Sequence, residues 1–245
     1  MKQIITGIAI LFTLASCQTA NKPIVSATFI DSLLSHYSDT AIHNASATEM
    51  QFWKNRIDPA NPGLVNELKY ASGLVNQFQL TGNIAHLLMA NNILHTVDIA
   101  FNHKESGPKL AMVRNSILQH RFKEADSLLQ EAKVIGIKNY ESASMGFDVA
   151  FELGHYGLAE FGLKKMAGQT DYGYHFRKAK LAHYNGQLDT AIAAMHRASE
   201  LAAGNMILKQ AALSNEADLY LHNGDMQQAN DLYVQSNRLH AADLH

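Results

Sequence analysis

The feature that most limits what this chain can fold into is a regular interruption of helical sequence. Gly82, His120, Gly154, Gly186 and Gly224 are separated by 38, 34, 32 and 38 residues. Between them apolar residues recur at helical spacing, and no stretch alternates apolar and polar as a half-buried strand does. A repeat of roughly 30–40 residues in helical sequence is the period of stacked helix pairs.

The residues around each break keep phase with it. Five positions on stand Leu87, Ala125, Ala159, Ala191 and Ala229. Nine on stand Asn91, Leu129, Leu163, Met195 and Tyr233, and twelve on Leu94, Ala132, Met166, Ala198 and Ser236. Seven before each break stand Val75, Val113, Phe147, Ala179 and Ala217. Glycine at the break can take the positive φ that ends a helix. A small residue five later lets the second helix lie close on the first, and the larger ones fill the contact with the next pair.

On these residues the segment 62–240 resembles the tetratricopeptide repeat (TPR) family. The units around Gly154, Gly186 and Gly224 match best. In the unit around Gly82, Leu87 replaces the small residue and Asn91 a bulky one. The proline that often closes a repeat is absent, and the family's tryptophan position holds Ala71, Lys109, Ala143, His175 and Leu213. The resemblance implies an all-α fold: a right-handed α-α superhelix, a TPR-like solenoid of antiparallel helix pairs, behind an N-terminal helical cap. The expected division is a cap over 28–60, about five repeats over 61–240 and a tail over 241–245. In the cap, Ser46 and Glu49 have capping-box spacing and predict a helix start at Ser46, leading to Phe52 and Trp53. No polar capping helix follows the last repeat. That leaves a fragment, an exposed final pair or a covering partner as alternatives.

The first residues carry a second resemblance. A short positive start, Met1-Lys2-Gln3, leads into an apolar run from Ile4 to Ala15. The run is shorter than the roughly 20 residues of a membrane-spanning helix and fits a signal peptide. It ends in Leu14-Ala15-Ser16-Cys17, which resembles the bacterial lipobox. The resemblance implies that 1–16 is a removed signal, that Cys17 is the site of lipid attachment, and that 17–27 is the lipidated N-terminus and tether. Cys17 is the only cysteine, so no internal disulfide can form. Position 18 is Gln rather than Asp, which points to the outer membrane, and a tether without acidic residues points to its periplasmic face.

Composition narrows function further. Of 245 residues 47% are apolar, enough for a packed core. Twenty basic against 22 acidic residues give a net charge of −2, which argues against nucleic acid as a partner and against a polybasic membrane patch. No metalloprotease, nucleophile-elbow, phosphate-loop or calcium-loop motif occurs. The chain is therefore read as a non-catalytic scaffold for a protein or peptide partner, without a cofactor. The alternatives are a metal-handling protein and an enzyme of unrecognised type. The 13 histidines motivate the first of these, although His175 and His183, eight apart, lie too far along one helix to chelate one ion by themselves.

In the TPR family ligands usually lie along the concave face built from first helices. Counting six, three and two back from each break gives the candidates. They are Asn76 and Gln79; Arg114; Asp148 and Glu152, with Phe151; Lys180, His183 and Tyr184; and Asp218 and His222, with Leu221. Such a lining suits an extended peptide, whose backbone needs donors and acceptors. The alternative is a solvated face whose charges pair across repeats.

Overall fold

The computed structural model describes residues 25–35, 40–202 and 204–242. The signal segment, Cys17 and most of the tether and tail lie outside these residues. The chain divides into two compact units, Met1–His36 and Tyr37–His245. The first contains α1 (Ala27–Ser35), whose start is capped by Ser26 Oγ accepting from the Phe29 amide at 3.2 Å.

The second unit opens with α2 (Thr40–Lys54) and continues as five helix pairs. These are α3 (Val65–Thr81) with α4 (Ile84–Ala100), α5 (Ser106–Leu118) with α6 (Phe122–Ile135), α7 (Asn139–Glu152) with α8 (Tyr156–Met166), α9 (Tyr172–Tyr184) with α10 (Leu188–Leu201), and α11 (Met206–His222) with α12 (Met226–Ala242). Helices pack within a pair and against the next pair along the chain. The described residues hold no strand.

Each break does what its backbone allows. Gly82, Gly154, Gly186 and Gly224 have φ of 68°, 77°, 73° and 82°, and His120 takes the same left-handed conformation at 56°. At the last four breaks the amide one residue on donates to a carbonyl five back: Arg121 to Ser116, His155 to Ala150, Gln187 to Ala182 and Asp225 to Tyr220, at 2.8–2.9 Å. Carbonyls that the helix end would leave unpaired are thereby satisfied. Second and first helices also start on side-chain caps: Asn83 accepts from the Ala85 amide, Asp171 from Tyr174, Asn205 from Leu208. A histidine in the left-handed region is strained where glycine is not. His120→Gly is expected to raise the unfolding free energy by about 1 kcal/mol in urea denaturation. A loss of stability instead would mean that the edge-on contact of the His120 ring with Phe122, 5.5 Å between centroids, outweighs the strain.

The crossings are dry. Leu87, Ala125, Ala159, Ala191 and Ala229 are fully buried, as are Leu94, Ala132, Met166 and Ala198. The core forms five clusters strung along the pairs rather than one central mass. Its first cluster also takes in Met50 and Trp53 of α2, packed with Tyr70, Ala71 and Leu74 of α3. Gly73 makes that approach possible: a Cβ there would meet Met50 Cβ at 3.1 Å.

One expectation needs correction. The helix carrying Phe52 and Trp53 begins at Thr40, not at Ser46. Ser46 lies inside it with a buried hydroxyl that has no hydrogen-bond partner among the described residues. The alanines at 41, 45 and 47 favour helix strongly enough to carry it back past the capping-box spacing.

The family's tryptophan position holds a buried cation in the second pair. Lys109 Nζ lies 3.0 Å from Asp98 Oδ2 and 2.8 Å from Glu131 Oε2. His103 Nδ1 lies 2.7 Å from the same Asp98 oxygen. Burial pushes the Asp98 carboxyl up, but the hydrogen bonds and charges of His103 and Lys109 outweigh it and hold its pKa below the usual carboxylate value.

Candidate functional site

The first helices α7, α9 and α11 stand in succession, and their matching positions form a strip of polar and aromatic side chains. Arg177 of α9 grips Asp148 of α7 with a two-pronged fork, Nε to Oδ1 at 2.9 Å and Nη2 to Oδ2 at 2.5 Å. One turn on, Lys180 Nζ bonds Glu152 Oε1 at 2.9 Å and lies 4.7 Å over the Phe151 ring. Tyr184 stacks on Tyr156 with centroids 3.7 Å apart, and Phe151 meets both rings edge-on. Half of Tyr184 remains exposed.

Between α9 and α11 the strip deepens into a recess of about 320 Å³ lined by Lys180, His183, Asn215, Asp218, Leu221 and His222. His183 Nε2 and His222 Nδ1 lie 2.8 Å apart with their rings inclined by 19°. At that distance one imidazole donates and the other accepts, a hydrogen bond that joins the two repeats. Tyr233 donates a short hydrogen bond to Asp218, and that bond, with burial, pushes the phenol up to about 12.

The candidates therefore divide. Asp148, Glu152, Lys180, His183, Tyr184, Asp218 and His222 come together on α7, α9 and α11. Arg114 of α5 joins the same face through its 2.9 Å ion pair to Glu141 of α7. Asn76 and Gln79 are exposed on α3, away from the cluster. The ion pairs that link successive first helices are those of a face whose charges pair across repeats. The exposed Tyr184 ring and the recess are what such pairing alone does not require.

Register counting missed Arg177, Tyr156 and Asn215. A signal for the first was available. The three ion pairs between successive first helices join opposite charges 27, 29 and 28 residues apart, a separation that recurs in the sequence. Tyr172 and Tyr174, at the start of α9, pack against two neighbouring core clusters. Among the described residues no group of three or more His, Cys, Asp and Glu could hold a metal ion. No described helix is long and apolar enough to cross a membrane.

Helix pairs closed by a left-handed residue, buried small side chains at the crossings and pair-to-pair stacking complete the pattern. The fold is a TPR-like solenoid. A known structure agrees with it, and two others are similar to the chain. BtubC (BKLC) from P. vanneervenii is 12% identical, with 85% of this chain and 93% of that chain covered at a TM-score of 0.50. YrrB, described as a TPR protein with an unusual peptide-binding site, is 16% identical over 71% of this chain and 91% of its own, at 0.41. A putative kinesin light chain of Podosopora anserina with nearly identical TPR-like repeats is 15% identical over 74% and 99%, at 0.47. At such identities the likeness is one of fold. No family model matches the chain, and no curated protein does.

Proposed function

We propose that this TPR-like chain is a non-catalytic scaffold that holds a protein or peptide partner against the first helices of its last three pairs. The observation that carries the reading is the strip from Asp148 to His222. It combines the exposed ring of Tyr184, backed by the half-buried rings of Phe151 and Tyr156, with donors and acceptors at Lys180, Glu152 and the His183–His222 pair. An extended peptide needs both, since its side chains seek apolar contact and its backbone amides need polar partners. The titratable groups of the strip are taken up in bonds, most of them between repeats and Asp218 with Tyr233 of its own pair, which suits holding a ligand rather than transforming it. Metal handling has its best foothold in His183 and His222, but two nitrogens fall short of the three or four protein ligands of a zinc site.

In this reading Cys17 carries lipid and ties the scaffold to the bacterial envelope, at the periplasmic face of the outer membrane. The lipobox-like Leu14-Ala15-Ser16-Cys17 and the Gln at position 18 support it.

The test is a pull-down from solubilised bacterial envelopes with the full chain and with a Lys180→Ala, His183→Ala, Tyr184→Ala variant. A protein retained by the parent and lost with the variant, whose melting curve stays within a few degrees, is the expected result. Equal recovery by both proteins would remove the strip from the reading. In cells, Cys17→Ser is expected to move the protein from the membrane to the soluble fraction. Unchanged fractionation would refute the anchor without touching the binding face.

A further inference from the structure

The second helices carry a groove that the proposed function does not use. It lies between α6 and α8 with α7 as its floor, and its volume is about 660 Å³. Its floor is made of small and aliphatic residues of α7, among them Ala143, Gly146 and Val149. One wall is apolar: Leu158 and Phe161 of α8 are 63% and 57% exposed. Both belong to a helix whose own core contacts are made by Ala159, Leu163 and Met166.

Gly146 is the unusual residue. It stands in the middle of α7, where glycine weakens a helix relative to alanine. Nothing within the chain demands it there. An added Cβ would meet only the flexible end of Lys133, at 4.0 Å. Gly162 on the next helix is the contrast, since a Cβ there would come 3.0 Å from the Ala143 carbonyl oxygen. Gly162 is required by the chain's own close crossing, whereas above Gly146 only the flexible end of Lys133 comes within 4.0 Å. A helix-interior glycine on the floor of an open groove leaves room for another backbone to come close.

Charge gives the occupant its polarity. Lys133 and Lys165 stand in the last turns of α6 and α8 and line this groove. Neither forms an ion pair among the described residues; Lys165 lies 4.5 Å over the Phe161 ring. The α7 helix runs antiparallel to both, so the two lysines branch from the helix ends beside Asn139 and Ser142, and their flexible side chains reach back along the groove, the Lys133 ammonium towards Gly146 and the Lys165 ammonium over Phe161. Asp126 lies in the N-terminal half of α6, towards the other end.

We propose that this groove docks an amphipathic helix of a partner protein, with its apolar face over Gly146 and acidic residues in its first turn against Lys133 and Lys165. Acidic side chains are favoured at a helix N-terminus, so the charge the groove calls for is one that such a helix readily carries. Helix-in-groove recognition needs an apolar trough of a few turns, and α7 at 14 residues supplies about 20 Å. The site lies on the second-helix side of the solenoid. It stands or falls independently of the first-helix strip.

The probe is a synthetic helical peptide of about 14 residues, matched to α7, with two glutamates in its first turn and leucines along one face. A copy with arginines in place of the glutamates serves as its partner probe. Binding is read by fluorescence anisotropy and by methyl NMR of the full chain. The acidic peptide is expected to bind below about 100 µM and to shift the methyl signals of Val149, Leu153 and Leu158. Gly146→Leu fills the trough. It is expected to weaken binding by at least about tenfold while leaving the melting midpoint unchanged or higher. Lys133→Glu with Lys165→Glu, which touches no core residue, should weaken the acidic peptide and strengthen the arginine copy. The proposal is overturned if the acidic peptide fails to bind at about 1 mM, or if the arginine copy binds the unaltered protein as well. Shifts confined to the first-helix strip, or binding that survives Gly146→Leu, would overturn it too.

Discussion

Lys109→Met is expected to lower the unfolding free energy by about 3–5 kcal/mol, measured by chemical denaturation, because it strands a buried carboxylate. Asp98 is nearly inaccessible, and one of its oxygens already lacks a partner among the described residues. The other oxygen depends on Lys109 and His103. Glu131, the second partner of Lys109, is half exposed and can turn to water, so the cost falls on Asp98. Adding Asp98→Leu to the same chain is expected to recover most of the loss, since an apolar pair of similar volume leaves no charge behind. A loss below about 1 kcal/mol for the single change would show that water reaches Asp98. The pH dependence has a definite sign. Asp98 is held below its usual pKa, so the stability it contributes is full above the unfolded carboxylate value of about 3.9. That contribution is lost as the pH falls through the depressed folded value. The gap between parent and variant should therefore narrow on acidification through that window.

The second large effect is expected at Phe147. This side chain is fully buried between Ala150, Ala159, Leu163 and Leu181 and stacks on Phe151 at 5.6 Å. Phe147→Ala is expected to cost about 3–5 kcal/mol, the usual toll of a buried phenyl ring and the cavity it leaves. The loss should be local. Each pair rests only on its neighbours, so hydrogen exchange is expected to speed up in α7 to α10 and to stay slow in α3 and α4. A uniform acceleration would show that the solenoid unfolds as one unit. A cost below about 2 kcal/mol would show that the crossing collapses onto the vacancy.

How much of this could be read in advance depends on the physics at each position. The breaks were legible because glycine at a fixed period has one strong local meaning, and phase alone pointed to His120, which has no such chemistry. The alanines at the crossings were legible because a helix approaching another tolerates little there. The start of α2 was misread. The capping spacing of Ser46 and Glu49 is local, and the alanine-rich sequence before it outweighs the cap. On the candidate face, register placed α7, α9 and α11 side by side and so collected Asp148, Glu152, Lys180, His183, Tyr184, Asp218 and His222. Register could not supply Arg177. Its reach to Asp148 depends on a rotamer and on the stagger between two helices, neither of which a single chain displays. Nor could sequence separate Gly146 from Gly162. Both are helix-interior glycines, and only the atoms around them show that one is crowded and the other open.

The stacking of pair upon pair has a mechanical side. Five small cores in series bear a load in turn, not together. Drawn out from its two ends, such a chain would yield hairpin by hairpin, each release lengthening it by one repeat while the rest stays folded. The weakest joint, not the sum of the joints, then sets the force it can transmit. The ion pairs Arg114–Glu141, Asp148–Arg177 and Glu152–Lys180 stitch successive first helices to one another. Under tension the stack would therefore bend before it breaks.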